Sequence, residues 1–120
     1  MNCVNISDKL AQFDDCWSPK VVGQVNNCAI KLVKLEGEFV WHHHEDEDEM
    51  FLVVSGQMNM EFRDRTVEVG PGEFIVVPHG VEHRPVAIGG VCEVMLVEPD
   101  SVLNTGNVHN ERTVEHLDRI

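Results

Sequence analysis

From Lys20 to Glu98 the sequence is cut into short apolar runs by Asn, Gly and Pro. The breaks recur every roughly eight to twelve residues, too often for helices of ordinary length, so the apolar side chains must be buried on strands. The runs predict strands at Lys20–Val25, Cys28–Glu36, Phe39–His43, Glu49–Val54, Gln57–Arg63, Thr66–Val69, Glu73–Val77, His83–Ala87 and Val91–Glu98. Asn26-Asn27, Arg63-Asp64-Arg65 and Gly70-Pro71-Gly72 read as turns, and Gly89-Gly90 opens the last strong strand. Met58, Met60 and Phe62 alternate with Asn59 and Glu61, the pattern of a strand with one wet face, which leaves Glu61 toward solvent. The runs Met50–Val54 and Phe74–Val77 are apolar on both faces and call for cover on two sides, the second layer being a candidate for a partner subunit. Many short antiparallel strands in so short a chain make an all-β sandwich or a small closed barrel.

Only the first nineteen residues offer a helix: Ser7 would cap a turn through Lys9, Leu10, Ala11 and Phe13, and Ser18-Pro19 would end it. The segment 99–120 is polar and rich in turn residues and is expected to wrap the barrel as an ordered tail. With 120 residues and no repeat or linker, the chain reads as a single domain spanning 1–120, its core at about 20–98. Nine basic residues against 21 acidic ones give a net charge of −12, which repels nucleic-acid backbones and anionic lipid. The N-terminus carries no signal-peptide pattern, and no apolar run approaches the length of a membrane span, so a soluble cytoplasmic protein is expected. Cys3, Cys16, Cys28 and Cys92 lack the spacing of a zinc knuckle or redox pair and read as reduced thiols.

The chemistry is concentrated in two segments, Gly37–Gly56 and Gly72–His83. In a strand, His42 and His44 project to one side and His43 to the other, so two of the three consecutive imidazoles reach one ion. Glu49 begins the next strand beside the end of the previous one. A further ligand comes from His83, which starts a strand after the Pro78–Gly80 return. His42, His44, Glu49 and His83 together form three nitrogens and one oxygen, a set that suits Mn, Fe, Co, Ni, Cu or Zn and is too nitrogen-rich for Ca or Mg. The carboxylates Glu45 to Asp48 read as a solvated loop that raises the local cation concentration. His79, His109 and His116 read as solvent-facing, Glu82 and Arg84 as a structural ion pair, and Trp17 and Trp41 as packing residues.

These segments resemble the two motifs of the cupins. The first runs from a glycine through HxH and a glutamate to a second glycine; it is met by His42-His43-His44, Glu49 and Gly56, with Gly37 one residue closer to the first histidine than the motif has it. The second is met by Gly72, Pro78, Gly80 and His83, with Ala87 in place of the terminal asparagine. In detail the sequence is similar to small single-domain cupins of the mannose 6-phosphate isomerase-like type. The resemblance implies a jelly-roll β barrel (double-stranded β-helix), often paired into a homodimer, with His42, His44, Glu49 and His83 holding a divalent transition metal such as Zn, Fe, Mn or Ni.

Fold alone does not specify a reaction. The expected partner is a small molecule. Two classes of function follow: a metal-dependent enzyme, dioxygenase or isomerase, acting on a small oxygen-rich molecule, or a metallo-cupin that binds without turnover. An inward-facing acid or base distinguishes them, and alternation around the ligands does not identify one. The catalytic residues are therefore unassigned.

Overall fold

A computed structural model describes residues 2–120. A short helix, α1 (Ile6–Leu10), precedes six strands: β1 (Lys20–Val25), β2 (Cys28–Leu35), β3 (Glu49–Phe62), β4 (Thr66–Val69), β5 (Phe74–Val77) and β6 (His83–Pro99). The helix is capped by Asn5, whose side chain accepts from the Asp8 N–H, so the start falls two residues earlier than a Ser7 cap would put it, and the helix stops well before Phe13. Among the described residues no helix is long and apolar enough to cross a membrane.

The strands form one antiparallel sheet in the order β1-β2-β6-β3-β4, with β5 also on β3. The fold is the all-β one expected, although the hydrogen-bonded path does not close into a ring. It rolls up instead. Phe62 lies opposite His83 across the β3–β6 ladder, whereas Glu49 stands at the other end of β3, thirteen residues away. A straight strand would separate them by ~40 Å at about 3.3 Å per residue. Yet a Glu49 oxygen lies 3.3 Å from the His83 ring nitrogen.

The roll is made where the sequence predicted breaks. Two strand pairs that read as separate, Glu49–Val54 with Gln57–Arg63 and His83–Ala87 with Val91–Glu98, are continuous in β3 and β6. Their junctions remain as irregularities: Ser55 pairs with Glu93 and Gln57 with Ile88, so residues 89–92 stand against Gly56 alone. Such excess residues bend a strand and increase its twist. Gly56 has φ +87°, and a Cβ there would lie 2.8 Å from the Val91 carbonyl oxygen and 2.9 Å from Cys92 Cα. The predicted strand Phe39–His43 is replaced by two isolated bridges, Glu38 to Val86 and His42 to His83. Phe39 N–H donates to the Pro85 carbonyl, and Pro85 has no N–H to return, which interrupts the ladder.

The core alternates as the pattern demanded: Val53, Met58, Met60, Val77, Cys92 and Val94 are fully buried. The outer faces differ from expectation. Phe74 and Val76, on the strand apolar on both sides, are 62% and 50% exposed, because nothing in the single chain covers that side of β5. The four cysteines are free, Cys3 exposed and Cys92 buried, and burial pushes the Cys92 thiol up to about 11. The tail folds back on the barrel: Val102 and Thr105 are buried, Asn107 exchanges hydrogen bonds with the His43 backbone, and Ile120 N–H donates to Val21 O.

Replacing Gly56 by Ala therefore forces both a left-handed backbone onto an L side chain and a clash with β6. A loss of more than about 2 kcal/mol is expected, from a left-handed penalty of about 1–2 kcal/mol plus the steric term. Gly72→Ala shares the positive φ but meets nothing within 4 Å, so a urea titration should show a clearly smaller loss for it.

Candidate metal centre

The four predicted side chains are carried by three backbone features. His42 and His83 face each other across a bridge in which each N–H donates to the other's carbonyl, at 3.1 and 2.9 Å, bringing the rings to 4.3 Å between centroids. His44 follows two residues on and is held from behind by Gly80 N–H, which donates to its carbonyl. Glu49 opens β3 opposite Val77 of β5. All four are buried, and one ligand atom from each lies within 4.8 Å of the others.

The second ring nitrogens orient the first. His42 Nδ1 lies 2.9 Å from the Val40 carbonyl and His83 Nδ1 lies 2.8 Å from that of Val81. A carbonyl only accepts, so Nδ1 carries the proton and Nε2 presents its lone pair to the centre. His44 Nε2, His83 Nε2 and Glu49 Oε1 converge there at 2.8 and 3.3 Å from the carboxylate oxygen to the two nitrogens. All three atoms are shielded from water and none has a hydrogen bond of acceptable geometry. Orphaned buried acceptors facing one another are costly, and a divalent cation among them satisfies all at once. The donor set fits a transition metal on this ground.

Burial, with the charge of His83 adding to it, lowers His42 to about 4 and keeps its imidazole neutral. For Glu49 burial acts upward, but the adjacent Glu98 carboxyl and the His44 and His83 rings outweigh it and hold the group well below the usual carboxylate range. Glu98 is the counterpart: burial and then the Glu49 charge push it well above that range, against the pull of Lys31.

Glu98 and Lys31 escaped the sequence reading. They are 3% exposed each and joined at 2.8 Å, a buried pair on neighbouring strands. The signal was present in alternation: Glu98 continues the buried row Cys92, Val94, Leu96, and Lys31 lies between Ala29 and Val33 on the inner face of β2. Next to the cluster is a cavity of about 40 Å³, bounded by apolar side chains, among them Trp17, Phe39 and Phe51, and by His42, Glu49, Glu98 and Asn104. At roughly 10–15 Å³ per water, it holds about three waters or a few ligand atoms.

His43 does point away, to Glu45. His79 is exposed and pairs with Asp48, and His109 and His116 are exposed in the tail. Glu82 and Arg84 do not pair with each other: Glu82 meets Arg63, while Arg84 meets Glu61 and Glu38, because those partners lie across the sheet rather than along the strand. Glu61 is thus engaged by an arginine rather than left free to solvent. Trp17 stacks on Phe39 in the cavity wall, and Trp41 lies between Arg63 and Arg84.

The depressed His42 value has a defined consequence for metal-free protein. The unfolded chain takes up a proton near the ordinary 6.5 that the folded chain refuses until about 4. This contribution to stability is complete above pH 6.5 and is lost as the pH falls toward 4. In chelator, the difference in urea midpoint between wild type and His42→Gln should shrink across that window.

A family model described as a cupin domain matches residues 31–98, more than half of the chain. The structure is similar to that of a cupin-2 domain containing protein from Shewanella frigidimarina, with a TM-score of 0.78 and 46% identity, covering 80% of this chain and 93% of that one. It is similar also to a Neisseria meningitidis protein, with a TM-score of 0.75 and 31% identity, covering 82% of this chain and 100% of that one. Among curated proteins, the uncharacterized protein YdbB of Bacillus subtilis is 34% identical over 64 residues, or 52% of this chain and 57% of YdbB, so the match spans little more than half of that relative. Both motif segments fall within the matched span, and the chain belongs to the cupin family.

Proposed function

We propose that the protein is a metal-dependent enzyme acting by proton transfer on a small oxygen-rich molecule that occupies the apolar cavity. His42, His44, Glu49 and His83 hold the ion in this reading. When bound, it supplies Lewis acidity toward a carbonyl or hydroxyl oxygen of the substrate. The observation that carries the proposal is Glu98, a carboxyl in the cavity wall beside the ligands and outside the ligand set. Its Oε1 is held by Lys31, while its Oε2 is buried without a hydrogen-bond partner, free to pass a proton to or from a substrate atom. Trp17, Phe39 and Phe51 exclude water and strengthen polar interactions inside.

The lining also limits the substrate. No arginine or lysine bounds the cavity among the described residues, and the Lys31 ammonium is already engaged by Glu98 Oε1. A phosphate would find no free countercharge, which disfavours the sugar-phosphate substrate of a mannose 6-phosphate isomerase-like enzyme. A small hydroxy-carbonyl compound suits the volume better. The exposed Phe74 and Val76 support a homodimer, whose mass by light scattering would be twice 13.5 kDa and which Phe74→Ser with Val76→Ser should reduce to the monomer.

The test of function is anaerobic loading with Fe(II), Mn(II), Ni(II) or Zn(II), followed by assays for isomerisation and for oxygen uptake on hydroxy-carbonyl compounds, diketones and catechols. Glu98→Gln should retain the metal and lose about 10²- to 10⁴-fold in kcat, the usual contribution of a positioned acid or base. Turnover undiminished in Glu98→Gln removes the proton-transfer role. Iron-dependent oxygen uptake would point to a dioxygenase, and bound metal with no turnover on any compound would make the protein a binder.

A further inference from the structure

The segment that carries His42 and His44 lies outside the named strands, and within 42–44 only His42 forms a bridge. The backbone groups of His42 go to His83, and the His44 carbonyl accepts from Gly80. Those of His43, between them, have no partner in the sheet and would need one. The tail provides it. His43 N–H donates to Asn107 Oδ1 at 2.9 Å, and Asn107 N–H donates to the His43 carbonyl at 3.1 Å. One asparagine thus supplies both the acceptor and the donor that a neighbouring strand would have offered.

The turn that presents Asn107 is packed closely on the same segment. Gly106 N–H donates to the Leu103 carbonyl and Val108 N–H to that of Thr105, while the fully buried Thr105 pairs its hydroxyl with that of Thr113 at 2.7 Å. Gly106 has φ +56°, and a Cβ there would lie 2.2 Å from the His43 carbonyl oxygen and 3.1 Å from Cδ2 of the His42 ring. Cδ2 is bonded to Nε2, the nitrogen that faces the centre, so the tail backbone forms a wall against a candidate ligand ring. The same turn brings Asn104 into the cavity wall, its side-chain amide tied to Arg112 O and Val114 N–H.

We propose that the turn 103–107 is a working part of the metal centre, with Asn107 as the positioning residue for His42 and His44. The inference rests on the metal-binding reading above and adds to it a support from outside the sheet. His43 N–H belongs to the peptide unit that joins it to His42, and His43 C=O to the unit that joins it to His44. Both units are planar, so Asn107 fixes the two planes that separate the two imidazoles. With those planes released, the rings lose the preorganisation that lets them meet one ion, as happens when groups that orient metal ligands are removed. An ion that holds both rings in turn favours the docked turn, so metal affinity and docking of the tail are linked.

The test uses the full chain stripped of metal and titrated with Co²⁺, followed by the visible absorption of bound cobalt and by competition with a chromophoric chelator. Asn107→Ala should weaken binding about tenfold, the lower end of the effect of groups that orient metal ligands, and should shift the cobalt absorption bands. Asn107→Asp keeps an acceptor for the His43 N–H and should restore affinity and spectrum in high salt, which screens its added charge. Asn110→Ala removes another side-chain acceptor from the tail, that of the Arg112 N–H, and should leave both unchanged. Zn²⁺ should also slow hydrogen exchange at the wild-type Asn107 amide, because linkage is reciprocal. Wild-type affinity and spectrum in Asn107→Ala, equal weakening in Asn110→Ala, no recovery in Asn107→Asp, or an Asn107 amide indifferent to Zn²⁺ each overturns the positioning role while leaving the metal site standing. Wild-type protein that takes up no cobalt overturns the metal reading and the positioning role together.

Discussion

The candidate centre depends on the bending of β3 and β6 against each other. These strands are paired from Met50 to Phe62, yet they return His83 to Glu49. The bend sits where Gly56 faces residues 89–92, and no other side chain fits there because the β6 backbone lies within 3 Å of where a Cβ would be. A straight ladder would hold His83 and Glu49 at opposite ends of the sheet. The candidate ligands therefore meet through a local irregularity some distance from them.

A second constraint is the concentration of charge inside an apolar barrel. Glu49, Glu98 and Lys31 are all buried, and burial of ions is unfavourable unless partners compensate. Lys31 neutralises one charge, and Glu98 is pushed toward its neutral form while Glu49 stays ionised. That arrangement leaves one negative oxygen facing two imidazole nitrogens with no donor between them. A core chosen for stability alone would have apolar residues at 31 and 98, so the triad is better understood through the chemistry of the site.

Much of the fold was legible because strand alternation is local. The buried rows of β3 and β6, and the removal of His43 from the ligand set, follow from a period of two. Glu98 and Lys31 obeyed the same rule but were missed, since Glu98 at a strand end looks like a boundary and Lys31 in mid-strand looks like a solvent-facing charge. Joining of strands across Gly56 and across Gly89-Gly90 was not legible: glycine signals both a turn and a bulge, and only the partner strand decides which. Likewise Trp17 and Asn104 reach the cavity from segments with no periodic pattern of their own.

By itself the sequence determined the all-β class and brought forward His42, His44, Glu49 and His83 as a set, because face and spacing are properties of a short stretch of backbone. Only the tertiary structure decided that Glu98 and Lys31 stand behind that set and that Trp17 closes the cavity. Those relations join residues tens of positions apart. They exist once the sheet rolls, since the roll is set by packing and register between distant strands and not by the preferences of any one of them.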